Sequence, residues 1–243
     1  MSSPSPVVLL HGFGQNGRCW GRLGESLATL GEVAALDLPG HGAAGAVHAD
    51  LWTTADLVAE AIDPERPAAV VGYSMGGRIA LHTALAHPER VGRLVLISAT
   101  AGIDDDAERE ARRASDNALA THIEAIGVDA FVEEWLALPL FAGLPAHGRY
   151  VAERRTNSAR GLASSLRLAG TGTQEPLWSR LGELTMPVLV IAGQDDTKFA
   201  ALAERLAAGI GDHATLAIVG GAGHTVHLEQ PQLTADLISA WLA

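Results

Sequence analysis

The chain is short of cysteine, of basic residues and of long apolar runs, and each shortage closes off a class of protein. Cys19 is the only cysteine in 243 residues, which excludes an internal disulfide framework and a multi-cysteine metal site and leaves nothing that requires an oxidising compartment. Seventeen basic residues stand against 28 acidic ones, for a formal charge of −11. That balance repels nucleic acid and anionic membrane surfaces, so neither is expected as a partner. No stretch approaches the roughly 18 uninterrupted apolar residues of a membrane span, because charges and glycines break every hydrophobic run. The opening Met1-Ser2-Ser3-Pro4-Ser5-Pro6 has no basic region, so no secretory leader is expected and the cytoplasm is the default location. What is present argues for a folded chain of one domain: 48% hydrophobic residues against 19% charged ones can bury enough apolar surface to offset the entropy of ordering.

Six short apolar runs read as strands: residues 7–10, 33–36, 68–71, 94–97, 188–192 and 215–219. They look apolar on both faces, as strands of a parallel sheet covered by helices do. Between them lie stripes at helical spacing. Thr53-Thr54-Ala55-Asp56 reads as a capped start before Leu57, Val58, Ala61 and Ile62, and further stripes run through residues 76–86, 199–210 and 233–242. This alternation predicts an α/β fold with a doubly wound, mostly parallel sheet. It breaks over residues 103–170, where no strand-like run occurs and the pattern is helical throughout. That stretch reads as a helical lid inserted into a core of residues 1–102 and 171–243. Cations are concentrated there: residues 109–167 hold eight arginines against seven acids, and the rest of the chain is strongly acidic. Glycines 102, 143, 148, 161 and 170 are the candidate hinges of such a lid.

The chemistry starts at Gly72-Tyr73-Ser74-Met75-Gly76-Gly77, which follows one strand and opens a helix. A G-x-S-x-G run in that setting places a serine on a sharp turn with its hydroxyl exposed at a helix N-terminus, and the glycines are needed because the turn crowds neighbouring backbone. A serine hydroxyl becomes useful only when an imidazole takes its proton and an acid fixes the tautomer of that imidazole. Asp196, with Asp195 as rival, follows the fifth strand, and His224, with His227 as rival, follows the sixth. Both lie at strand C-terminal ends, where open α/β sheets place their sites, and the order serine, acid, histidine suits an α/β-hydrolase. Asp196 also reads as a helix cap. After the first strand, His11-Gly12-Phe13-Gly14 would turn backbone toward the serine, so the main-chain N–H groups of Phe13 and Met75 are the expected oxyanion hole. His41, in Asp37-Leu38-Pro39-Gly40-His41-Gly42, reads as structural. The histidines are scattered without ligand spacing and no glycine run forms a dinucleotide fingerprint, so neither a metal nor an organic cofactor is expected.

Over its whole length the chain resembles the α/β-hydrolase superfamily. Four stretches make it similar, within that superfamily, to the 2-succinyl-6-hydroxy-2,4-cyclohexadiene-1-carboxylate synthases: the serine motif extended to Arg78, Glu108-Arg109-Glu110-Ala111-Arg112, the run from Arg154 through Gly170-Thr171-Gly172-Thr173-Gln174 to Trp178, and Asp196-Thr197-Lys198-Phe199. The resemblance implies a lyase of menaquinone biosynthesis that eliminates pyruvate from a cyclohexene bearing a succinyl chain, a ring carboxylate and an enolpyruvyl ether, with the serine and histidine acting as base. Arg78, one helical turn past Ser74, faces the site on spacing alone, and a tricarboxylate approaching a protein of this charge needs such cations. The resemblance adds Arg112 and Arg154 from the lid and Tyr73 and Trp135 as pocket residues. Arg109, Arg113 and Arg155 are one-residue alternatives, and Lys198, the only lysine, is read as shaping the Asp196 loop. The rival reading is a serine carboxylesterase or C–C hydrolase, whose pocket for neutral substrates would be mainly apolar. A third is a catalytically idle receptor or scaffold, against which the complete triad argues. A haloalkane dehalogenase is excluded because serine stands where that chemistry needs a carboxylate. A monomer is the simplest assembly to assume.

Overall fold

The computed structural model describes residues 5–243; the first four residues, on which the expectation of no leader partly rests, lie outside the described residues. In chain order the main elements are β1 (Val7–Leu10), α1 (Gly21–Ala28), β2 (Val33–Leu36), α2 (Leu51–Glu60), β3 (Ala68–Tyr73), α3 (Met75–Ala86), β4 (Val91–Ile97), α4 (Asp106–Leu136), α5 (Val151–Arg154), α6 (Ala159–Ala169), β5 (Val188–Gly193), α7 (Thr197–Ile210), β6 (Ala214–Val219), α8 (Val226–Glu229) and α9 (Pro231–Leu242). The strands form one sheet in the order β2-β1-β3-β4-β5-β6, and every pairing is parallel. Leu10 pairs with Gly72, Gly72 with Leu96, and Ile97 with Ile191, so the C-terminal ends of β1, β3, β4 and β5 line up along one edge.

The period-two alternation of each strand splits the core. Val8, Leu10, Val70, Leu96 and Val190 pack beneath α2, α3 and α7, whereas Leu9, Val71, Ile97 and Ile191 pack beneath α1 and α9. Each fully buried aliphatic side chain contributes about 1.5–3 kcal/mol relative to exposure, before the entropy of ordering is counted. A third cluster, with Ile123, Phe131, Leu162 and Leu166, joins α4 to α6 over the C-terminal edge of the sheet. Among the described residues no helix is long and apolar enough to cross a membrane.

Three local expectations are corrected, and one helix kink lies where none was expected. The helix expected from Thr53 starts at Leu51 and is capped by Asp50, whose carboxylate accepts from the Thr53 N–H at 2.7 Å; the buried stripe is Leu51, Thr54, Ala55, Val58 and Ala59, and Leu57 points to solvent. The outermost strands are not buried on both faces: Ala34 and Ala35 of β2 are exposed, as are Leu216 and Ile218 of β6, because helices cover the edge strands incompletely. Residues 137–150 of the inserted segment form short 3-10 turns and loops rather than continuous helix. The glycine that breaks the long helix α4 is Gly127, at φ 79° and with open space where a Cβ would stand, and it was not among the hinge candidates.

Candidate active site

Ser74 stands between β3 and α3 with φ 50° and ψ −107°, a conformation that costs a non-glycine residue about 1–3 kcal/mol and is held by its surroundings. Its N–H donates to the Ile97 carbonyl at 2.9 Å and its carbonyl accepts from the Arg78 N–H at 3.1 Å. The flanking glycines are steric necessities. A Cβ on Gly76 would lie 1.9 Å from the Leu10 oxygen, and one on Gly72 would lie 2.3 Å from the Gly76 oxygen.

His224 is buried with its Nε2 3.2 Å from Ser74 Oγ and its Nδ1 2.8 Å from Asp196 Oδ2. An imidazole that donates Nδ1–H to the carboxylate turns its Nε2 lone pair to the serine hydroxyl, the arrangement needed to take a proton. The second Asp196 oxygen accepts from the Phe199 N–H at 3.1 Å at the start of α7, so the cap reading and the orienting role describe the same residue. Burial by itself raises the Asp196 carboxyl, but hydrogen bonds from His224 and Phe199, aided by the charges of His224 and Lys198, hold it below its usual value. The rivals lie elsewhere. Asp195 is exposed, and His227 is buried between the rings of Tyr73 and Trp20, at centroid distances of 4.5 and 4.9 Å. Burial, reinforced by the charges of Arg154 and His224, pushes the His227 imidazole down to about 3.

Phe13 and Met75 both line the cavity beside Ser74, and the main-chain N–H of neither donates a hydrogen bond within the described residues. Their neighbours are tied. Gly12 N–H donates to Gln15 Oε1 at 3.0 Å, and Gly14 N–H donates to His41 Nε2 at 3.1 Å. His41 and His11 are the fasteners of this edge: His11 Nε2 accepts from the Leu38 N–H at 3.1 Å and its Nδ1–H donates to the Gly12 carbonyl at 2.8 Å. Both rings are fully buried, and burial lowers them to about 4 for His11 and about 3 for His41, so they are neutral and free to accept. His11 was missed as a positioning group because one of its two partners, the Leu38 N–H, comes from a loop 27 residues away.

The cavity encloses about 550 Å³ and is bordered by Ser74, His224, Arg78 and Arg112, with the insertion as its roof. Arg78 is only 6% exposed, and its buried Nη1 has no partner; burial lowers it to about 10, helped by the nearby Arg112 charge and opposed by Asp116, so it stays cationic. Arg112 donates Nε–H to the buried Asp116 at 2.8 Å. Arg154, 1% exposed, adjoins a second, smaller space of about 30 Å³ beside Ser74 and His224. Its Nε donates to the Arg149 carbonyl at 2.8 Å, but Nη1 and Nη2 are unpartnered. Gln15 Nε2 and Trp135 Nε1, on the same small space, are unpartnered as well. Four buried nitrogens that can only donate suit anionic oxygen. Tyr73 lies over His224 at 5.6 Å between centroids, and its hydroxyl is pushed up by burial.

The one-residue alternatives face away. Arg109 pairs with Asp106, Arg113 with Glu110, and Arg155 with Glu133 at 2.7 Å; none of the three borders either space. The cavity is more mixed in charge than the arginine-rich insertion suggested, because Asp104, Asp105, Glu108 and Asp116 share its wall with Arg78, Arg112, Lys198 and Arg205. Arg205 was not foreseen; it stacks 3.7 Å from the Trp178 ring centroid and pairs with Asp104 at 2.6 Å. Gln15 was missed too, having no sequence signal beyond its nearness to Gly12. No group of three metal-ligating side chains occurs among the described residues.

Residues 7–237 match the alpha/beta hydrolase family. A Bacillus subtilis protein provisionally named 2-succinyl-6-hydroxy-2,4-cyclohexadiene-1-carboxylate synthase is 39% identical over 97% of this chain and 89% of its own. The Citrobacter koseri protein bearing the same name without qualification is 31% identical over 96% of this chain and 92% of its own. Among solved structures, MenH from S. aureus superposes with a TM-score of 0.93 at 30% identity, covering 100% of this chain and 94% of that one. An esterase from Thermogutta terrifontis, solved with malate bound, superposes with a TM-score of 0.82 at 25% identity, covering 100% of this chain and 90% of that one. The chain therefore belongs to the alpha/beta hydrolase family and, within it, to the family of the 2-succinyl-6-hydroxy-2,4-cyclohexadiene-1-carboxylate synthases.

Proposed function

We propose that the protein is a carbon–oxygen lyase that eliminates pyruvate from 2-succinyl-5-enolpyruvyl-6-hydroxy-3-cyclohexene-1-carboxylate, giving 2-succinyl-6-hydroxy-2,4-cyclohexadiene-1-carboxylate for menaquinone biosynthesis. Ser74 passes its proton to His224, which Asp196 orients, and the serine oxygen takes the ring proton next to the succinyl ketone. The released electron pair forms the first ring double bond, the existing double bond moves one position along, and the carbon–oxygen bond to the enolpyruvyl group breaks. The group departs as an enolate and becomes pyruvate on taking a proton at its methylene carbon. Charge that builds on the ketone oxygen is met by the N–H groups of Phe13 and Met75, and the carboxylates are met by Arg78, Arg112 and Arg154, with Tyr73 and Trp135 shaping the space around them.

The observation that carries this reading is the convergence of a serine–histidine–aspartate relay with guanidinium nitrogens that lie buried and unpartnered beside it. A buried cation without a partner is costly, and an esterase for neutral substrates gains nothing from it. A substrate with three carboxylates repays the cost on binding and overcomes the far-field repulsion of a chain of charge −11. On the same reading the protein works in the cytoplasm, as a monomer, on a small polycarboxylate and without a cofactor. The test is pyruvate release from the enolpyruvyl substrate, made in place by the preceding enzyme, beside a panel of p-nitrophenyl esters. Rapid release that vanishes in Ser74→Ala, with feeble ester cleavage, is expected; ester turnover without pyruvate release would make the protein a hydrolase.

A further inference from the structure

His224 sits on the loop between β6 and α8, and a loop alone does not hold a base with the accuracy that proton transfer demands. Asp196 fixes the ring. The backbone on either side of it is fixed by a second carboxylate, Glu229, at the end of α8. Its Oε2 accepts from the Gly223 N–H at 2.8 Å, and its Oε1 accepts from the Thr225 N–H at 2.9 Å and from the Thr225 hydroxyl at 2.6 Å. Gly223 and Thr225 are the residues before and after His224, and the carbonyl of His224 itself accepts from Ser98 Oγ at 2.8 Å. Glu229 forms no ion pair among the described residues, so these three donors are what holds its charge.

The same carboxylate meets the helical insertion. Gly143, in the loop that follows α4, lies so near that a Cβ there would come within 2.4 Å of Glu229 Oε2. Leu228, the preceding residue, belongs to the apolar cluster with Phe131 and Leu162 beneath α4 and α6. One turn of helix therefore touches the insertion on one side and the histidine loop on the other.

We propose that Glu229 is a positioning residue for His224 and that, through Gly143 and Leu228, it makes the placement of the imidazole depend on the seating of the insertion. Both oxygens are needed, because an amide in their place would set an NH2 group against either the Gly223 N–H or the Thr225 donors. The inference rests on the role given to His224 under the proposed function, and its test separates the two. Glu229→Gln, Thr225→Val and Gly143→Ala are compared with the wild type in pyruvate release, in the rate at which a fluorophosphonate labels Ser74, and in the low-field proton resonance of the His224 Nδ1–H.

Glu229→Gln is expected to lose roughly 10²-fold in kcat with KM changed less than about twofold, because misplacement of a reacting group by about an ångström has that effect. Labelling slows in parallel, the resonance broadens, and the melting temperature moves little. Thr225→Val, which loses one bond, falls between, and Gly143→Ala, pressing on Oε2 from the insertion side, moves kcat in the same direction. Labelling and resonance unchanged in a folded Glu229→Gln, or in Thr225→Val where the former does not fold, would overturn the inference, as would a loss confined to KM. Wild-type protein that labels normally yet releases no pyruvate would sink the lyase reading and leave Glu229 untouched.

Discussion

Replacing Arg154 by methionine should make the free protein more stable and the enzyme worse, two effects of opposite sign from one side chain. The guanidinium is 1% exposed, and both terminal nitrogens lack a partner. Exchanging buried charged groups for apolar residues of similar volume gains about 1–4 kcal/mol where the charge is poorly compensated. Against this stand the lost bond from Nε to the Arg149 carbonyl, roughly 1 kcal/mol, and a cation–π contact with Phe141 at 5.9 Å, roughly 0.5–1 kcal/mol. With both terminal nitrogens unpartnered the upper half of that range applies, and the balance is a gain of about 0.5–2.5 kcal/mol, which for a chain of this size raises Tm by about 1–10 °C. In catalysis a single charge-assisted contact to a carboxylate is worth about 1.5–3 kcal/mol, hence about 10- to 150-fold in kcat/KM, and Arg154 has two nitrogens to offer. Thermal unfolding without substrate and steady-state pyruvate release measure the two effects. A lowered Tm with kcat/KM intact would mean that Arg154 is a structural cation and that the small space beside Ser74 binds no carboxylate.

Acid should destabilise the fold through buried histidines. Burial depresses His11 and His82 to about 4 and His41 and His227 to about 3, against about 6.5 in the unfolded chain. Their contribution is complete above pH 6.5 and is lost as pH falls toward those values, by about 2 kcal/mol for each ring at pH 5. The sum, about 8 kcal/mol, rivals the whole stability of an ordinary domain, so urea midpoints flat between pH 7.5 and 5 would refute the neutral, buried assignment. Arg78→Ala should lower kcat/KM by about tenfold or more, the loss of one charge-assisted contact; an unchanged constant in the pyruvate assay removes Arg78 from binding.

The parts of this molecule legible in its sequence are those whose cause is local. The six strands announced themselves as short β-branched or aliphatic runs, and their observed limits differ from the expected ones by three residues at most. The grouping of Ser74, Asp196 and His224 was readable because each follows a strand end with a glycine within three residues. Periodicity could not tell that β2 and β6 are outermost, since an edge strand has the same apolar run and differs only in what covers it. It misplaced the start of α2 because Thr53-Thr54 imitates a cap that Asp50 provides. Of the groups that escaped notice, His11 and Arg205 act through partners brought close only by the fold, Leu38 and Asp104, whereas Gln15 and Glu229 reach backbone three to six residues away in loop conformations that no residue pattern announces. The choice among neighbouring arginines had the same limit. Arg112 and Arg113 differ by a rotation on one helix, and only the packing of α4 on α6 turns the first inward.

Asp196 shares its two oxygens between the first turn of α7 and the imidazole of His224, and this joint ownership makes activity a gauge of local order. When the first turn of α7 frays, the Phe199 N–H lets go and the carboxylate swings free of the position that keeps the histidine in its working tautomer. Heating is therefore expected to lower activity before the sheet melts, which pyruvate release and far-UV circular dichroism followed over one temperature ramp would check. That early loss should reverse on cooling, since only the first turn of α7 has to rewind.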